Sequence, residues 1–179
     1  VGSVAVAPTK DASAAKAKSK KENARVYFAG TAKGADCLWI AGDGKTAKAV
    51  SKNVTLKKGK KTKVTLTIKK PAKYKVGSKN KKLKKVAGAT VCTVDLVNVL
   101  SSFKKVKCSG FKVKADGKKV KVKKVYQGSF EKNKPASKNN WRVSFYNKWG
   151  NQGDNSKTNN AKAFAFKKNL TITFTVVAK

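Results

Sequence analysis

Two indoles, a phenol, a carboxamide and two cations crowd into the run Trp141 to Gly150, WRVSFYNKWG. Such groups stack on flat ligand faces and hydrogen-bond hydroxyls or carboxylates, which is the chemistry of binding rather than of proton transfer. Trp141, Val143 and Phe145 alternate with Arg142, Ser144 and Tyr146. A strand here sends three large apolar groups to one face and the polar or amphipathic three to the other. Asn147 and Gly150 end that strand and leave Lys148 and Trp149 on a turn, in reach of a ligand. Trp141 shares its face with Val143 and Phe145 and is expected in the core; Trp149 is either a binding residue or a packed rim.

Residues for catalysis are scarce. The chain has no histidine to act as a general base. It also contains neither a nucleophile elbow nor a P-loop. Of its eight acids, Asp43 and Asp116 sit in turn signals and Asp11 in the N-terminal segment, while Asp36, Asp95 and Asp154 show no pairing by spacing. Glu131 with Asp95 or Asp154 is the pair a glycosidase would need, and only geometry can decide it. No enzyme activity and no cofactor are expected.

Cys37, Cys92 and Cys108 fit no zinc spacing, so no metal site is expected either. Cys92 and Cys108 can form one disulfide with Cys37 free, or all three are buried thiols; the spacing is compatible with both. The oxygen-rich run Asn151 to Asn155 has the ligand types of a calcium loop, but the surrounding charge opposes it.

That charge is the second functional signal. Lysine and arginine number 44 against eight acids, a formal net charge of +36, and only Arg25 and Arg142 are arginine. A field of this sign attracts phosphate, uronate, sulfate or anionic lipid and keeps a protein soluble and monomeric. Lysine is a hydrated point charge, whereas bidentate reading of bases or phosphates uses arginine. Diffuse attraction to a polyanion, non-specific nucleic acid at low salt included, is therefore expected over sequence-specific readout. The competing reading is a merely solvated surface. No apolar run approaches the roughly 18 residues of a membrane span.

The elements that must position these groups read as strands. An apolar fraction of 40% supports one core, and 179 residues one domain. Residues 1–23 are rich in Ala, Lys and Ser without an aromatic, so a disordered basic tail or linker is expected, with the domain over 24–179. The chain has no methionine, position 1 included, as expected of a processed or excised piece. Val26 and Phe28 share one strand face, Arg25 and Tyr27 the other. Asp43-Gly44 signals a hairpin that pairs Leu38 with Ala49 and Ile40 with Ala47. Trp39 then lies beside Lys48 on the opposite face, or else is itself a core residue.

NVTLKK and TKVTLTIKK are two further strands. A two-residue Lys58-Gly59 turn would set Val54 and Leu56 against lysines, so either a bulge intervenes or the two strands belong to different sheets. Residues 71–88 read as a loop or irregular edge. Ala89 to about Val97 is a strand followed by a short helical turn, with Asp95 either paired or outward. Around Asp116-Gly117 every apolar residue falls on one face and lysines 112, 114, 119, 121 and 123 on the other. Leu170, Ile172, Phe174 and Val176 form the last strand, expected mid-sheet beside the first strand or beside 141–146.

The order of a TVDLVNV strand, a KVKADGKKVKV hairpin, WRVSFYNKWG, a polar loop and LTITFTV resembles β-sandwich modules in large secreted and surface-attached proteins of Clostridia, among them species that degrade plant polysaccharides. The likeness covers about half the chain. It implies a jelly-roll-like carbohydrate-binding module, with Tyr146, Asn147 and Trp149 as its binding rim. The lysine content departs from such modules and moves the expected ligand from neutral glucan to an acidic polysaccharide such as pectin or an anionic wall polymer. The expectation is thus an all-β antiparallel sandwich of about eight to ten strands, secreted or at the cell surface, that acts as a non-catalytic binding module, with a polyanion-binding basic protein or a structural, adhesin-like spacer domain as the alternatives. Its binding residues are Trp149, Tyr146, Asn147, Lys148, Arg142, Trp39 and Lys48.

Overall fold

The computed structural model describes residues 19–150 and 156–179. The expected disorder over residues 1–18 and the calcium-like run 151–155 lie outside the described residues. Alternating apolar positions build an all-β antiparallel sandwich, the solution open to sheets with one apolar face each. Its strands are β1 (Ser19–Ala32), β2 (Ala35–Ala41), β3 (Val50–Lys57), β4 (Lys61–Lys69), β5 (Lys73–Val76), β6 (Lys79–Lys82), β7 (Gly88–Val97), β8 (Val106–Ala115), β9 (Lys118–Val120), β10 (Tyr126–Gly128), β11 (Trp141–Asn147) and β12 (Asn169–Ala178). The larger sheet runs β10-β11-β7-β1-β2, with β3 also on β1; the smaller runs β4-β12-β8-β9, and β5 pairs with β6 as a separate ribbon. No helix is long and apolar enough to cross a membrane among the described residues.

Between the sheets, Phe28, Phe145, Phe166, Phe174, Leu96 and Ile172 are fully buried. Phe111 joins the layers, its ring 5.8 Å from Phe145 of the larger sheet and 6.2 Å from Phe174 of the smaller. The outer face of the smaller sheet is polar: Thr65 meets Thr173 and Thr67 meets Thr171 through their hydroxyls. Lys112 and Lys114 continue those two rows on β8, so the lysine ladder faces away from the core as expected.

Several expectations are corrected. β1 begins at Ser19, so residues 19–23 are strand, not tail; Glu22 is buried among them, its carboxyl raised by burial despite Lys20 and a Ser102 hydrogen bond. Residues 71–88 contain the β5–β6 ribbon. Asp43-Gly44 makes no hairpin. β2 and β3 are successive segments along the same edge of β1, pairing with residues 28–32 and 19–26 respectively, and 42–49 is an excursion between them. Long-range pairing to a 14-residue strand outweighs a two-residue turn signal followed by the weakly β-forming KTAKA.

β3 and β4 do belong to different sheets, the arrangement that keeps Val54 and Leu56 inward. β12 is central in its sheet, but its neighbours are β4 and β8 rather than β1 or β11. All three cysteines are free, Cys92 and Cys108 buried and Cys37 exposed. Burial pushes the Cys108 thiol up to about 12 and raises Cys92 as well, so both behave as small apolar groups.

Candidate functional site

The outer face of the larger sheet carries the site. β7, flanked by β1 and β11, is buried on both faces, because side chains of its neighbours cover its outward residues. Three cross-strand rows order these groups. Arg25, Asp95 and Arg142 form the first, Tyr27, Thr93 and Ser144 the second, and Trp39, Ala29, Val91 and Asn147 the third.

In the first row Arg142 holds Asp95 with both arms of its fork, Nε to Oδ1 at 2.5 Å and an Nη to Oδ2 at 2.7 Å, and donates a further 2.9 Å bond to Glu131. Glu131 comes from the loop after β10 and also pairs with Lys134 at 2.7 Å. Burial alone would raise Glu131, but the Lys134 hydrogen bond and the Arg142 charge hold it below the usual carboxylate range. The second row centres on Tyr27, with the Arg25 and Arg142 guanidiniums 5.8 and 5.6 Å from its ring centroid. Burial and the Asp95 charge push its phenol up. Arg25 also donates through Nε and an Nη to the carbonyl of Gly42, holding the 42–49 excursion against the sheet.

The third row becomes a trough because β11 is irregular. Its register to β7 shifts between Ser144 and Tyr146, the signature of a bulge that re-aims the residues after it. Phe145 and Tyr146 both turn into the core, and Asn147 faces outward. Asn147 then builds the turn: its Oδ1 accepts from Trp149 N–H at 3.0 Å and its carbonyl from Gly150 N–H at 3.1 Å. Lys148 N–H donates to Thr90 O at 2.9 Å, and Gly150 takes the left-handed φ of 66° that closes the turn. Trp149 is left 58% exposed, facing Trp39 at 37%.

Between the indoles lies a shallow depression of about 170 Å³ floored by Val91 and Thr93 and bounded by Tyr27, Arg142 and Asn147. Thr93 is 1% exposed, and its hydroxyl has no hydrogen-bond partner among the described residues. A buried hydroxyl left so forfeits about 1–3 kcal/mol.

Of the expected binding residues, the structure brings Trp39, Trp149, Asn147 and Arg142 together. Lys148 is exposed and does not line the depression; burial raises the Cys37 thiol while the Lys148 charge acts to lower it. Tyr146 is a correction. The bulge packs its ring against Phe164, 6.0 Å between centroids, in the core. Lys48 is a second correction, since without the hairpin it lines a different depression with Ile40, Val50 and Thr67. Arg142 is committed to two carboxylates. Tyr27, Val91 and Thr93 join the site without being expected there; the sequence signal for Tyr27 is its shared face with Arg25. Comparison with protein-family models, with curated proteins and with solved structures finds no match.

Proposed function

We propose that this chain is a non-catalytic, secreted or cell-surface binding module whose outer sheet face takes a polysaccharide, with a preference for acidic polymers. The observation that carries the reading is the pair of exposed indoles, Trp39 and Trp149, that line one shallow depression. Large exposed apolar side chains among the described residues are Trp39, Phe130 and Trp149, so two of the three line this one trough. Soluble proteins rarely leave such groups together without a partner. The CH-bearing faces of a sugar ring stack on indole. The trough is too shallow to enclose a ligand, which suits one stretch of an extended chain crossing the sheet.

Arg142 is not taken as the carboxylate clamp, because its charge is already paired with Asp95 and Glu131 through Nε and one of its Nη groups. The acidic preference rests instead on Lys148 and on the long-range field of the +36 chain. The same pairs support a non-catalytic reading: Glu131, held low by Lys134 and Arg142, is no proton donor near neutral pH. The notion of a Glu131–Asp95 glycosidase pair therefore gives way to a structural ion triad.

The test is affinity for polygalacturonate, a neutral glucan and single-stranded DNA at low and at about 0.15 M salt, where the Debye length is about 8 Å. Polygalacturonate binding should survive the higher salt, and Trp39→Ala or Trp149→Ala should weaken it at least about tenfold, some 1.4 kcal/mol, with the fold intact. If all three ligands are lost together at the higher salt, or both variants bind as the parent does, the polysaccharide reading fails.

A further inference from the structure

A second concavity of about 520 Å³ opens at the end of the sandwich where β8 begins and β12 ends. Its walls are Val106, Val177 and the ring of Trp141; its rim is Lys104, Lys105, Lys107 and Lys179. This size falls within the range of small-molecule sites.

Both halves are held in place. Lys104 and Lys105 N–H donate to the carbonyl of Lys179 at 2.7 and 3.0 Å, and Lys179 N–H returns a 2.8 Å bond to Lys105 O. The rim backbone is therefore fixed while its four side chains stay exposed. Trp141 donates its indole N–H to Gln127 Oε1 at 3.2 Å, and the same carboxamide exchanges hydrogen bonds of 2.8 and 2.9 Å with the backbone of Cys108. Gln127 thus ties the larger sheet to β8 and satisfies the indole N–H, leaving Trp141 to offer only apolar surface to the cavity.

The chemistry differs from that of the trough. Among the described residues no carboxylate side chain lines the cavity, and their side chains offer an incoming ligand no hydrogen-bonding group besides the ammoniums. A saccharide would set hydroxyls against Val106 and Val177 and lose their hydration uncompensated. We infer that the cavity between Trp141, Val106 and Val177 binds an amphiphilic organic anion, its acyl or aryl body against the apolar wall and its carboxylate or phosphate among Lys104, Lys105, Lys107 and Lys179. Burial of the body supplies affinity, at about 25 cal/mol per Å² of apolar surface removed from water, and the lysines select the anionic head. This site is independent of the trough and of any polysaccharide.

The experiment is titration of the ¹⁵N-labelled chain with octyl phosphate and octanoate, with octyl glucoside and inorganic phosphate as controls. The three tryptophans give three indole signals, and Trp141→Phe identifies the one at the cavity. Saturable shifts of the Trp141 indole and of amides 105–107 and 177–179 are expected with the two amphiphilic anions, while Trp39 and Trp149 stay in place. Replacing Lys105 and Lys107 by Ala, both exposed, should weaken binding about tenfold. Equal shifts with octyl glucoside would leave only a greasy notch. Equal shifts with inorganic phosphate would leave only a lysine patch. Either outcome, or no saturable shift at Trp141, overturns the proposal.

Discussion

Both arginines of this lysine-dominated chain stand over the same phenol, and the reason is geometric. A lysine could supply the charge at 25 or 142, but not a planar fork that grips a carboxylate in two places while lying against an aromatic face. At 142 the fork meets Asp95, 1% exposed, and also Glu131; at 25 it meets only the Gly42 carbonyl. The two positions should therefore respond unequally to the same substitution. Arg142→Lys is expected to lower stability by at least about 2 kcal/mol, since it leaves a buried carboxylate short of charged hydrogen bonds typically contributing about 1.5–3 kcal/mol each. Arg25→Lys should cost about 1 kcal/mol, the scale of one ordinary hydrogen bond. Urea unfolding of both variants checks this, and equal losses would contradict it. Site residues are legible in the sequence where type alone matters, as with Trp149 and Asn147. Tyr146 is not, because one inserted residue in β11 reverses the faces, and no composition rule announces a bulge.

Two Asp-Gly pairs show what a turn signal can specify within an element. Asp116, at φ 51°, and Gly117 close the β8–β9 hairpin with Ala115 opposite Lys118 and Val113 opposite Val120, the register that alternation predicts. Asp43-Gly44 has the same dipeptide, but there the Asp43 Oδ1 accepts from the nearby Lys45 N–H, and the flanking strands pair with β1 instead of each other. The local signal prevails where apolar residues on both sides agree with it and yields where a longer strand competes. Asp116 does more than turn the chain. Its carboxylate accepts from the backbone N–H groups of Lys167, Lys168 and Asn169, tying the turn to the start of β12. The bond from Lys167 is the largest cause holding its pKa below the usual carboxylate value; desolvation, the next largest, opposes it, and the bonds from Lys168 and Asn169 add to the lowering. A depressed carboxylate stabilises above its unfolded value of about 3.9 and ceases to as pH falls through the folded one. Asp116→Asn should therefore melt below the parent at pH 6, with the gap closing as both are taken toward pH 2. A gap of constant size would mean that the turn geometry, not the charge, is what matters.

At the scale of the whole molecule, period-two alternation makes an antiparallel sandwich readable, while the assignment of strands to sheets depends on contacts distant in sequence, as with β12 between β4 and β8. Charge is readable in amount but not in placement. Of the six carboxylate side chains among the described residues, five are engaged locally or buried: Asp95 and Glu131 face Arg142, Asp43 and Asp116 face backbone amides, and Glu22 is buried, while Asp36 is exposed. Little negative charge remains for the lysines on the outer face of the smaller sheet, where Lys114 sits directly opposite Lys119. Like charges so placed destabilise a sheet, and a net +36 repels itself throughout a compact body. Salt screens that repulsion, with the Debye length falling from about 30 Å at 0.01 M to about 8 Å at 0.15 M. The Arg142 pairs, partly buried, are screened far less. The melting temperature should accordingly rise by several degrees over this range, whether the added salt is sodium chloride or sodium acetate, and rise equally in Trp149→Ala. Calorimetry across the series decides it. A flat or falling curve would mean that attractive pairs, not lysine repulsion, dominate the electrostatics of the fold, and that an incoming polyanion gains nothing by neutralising this surface.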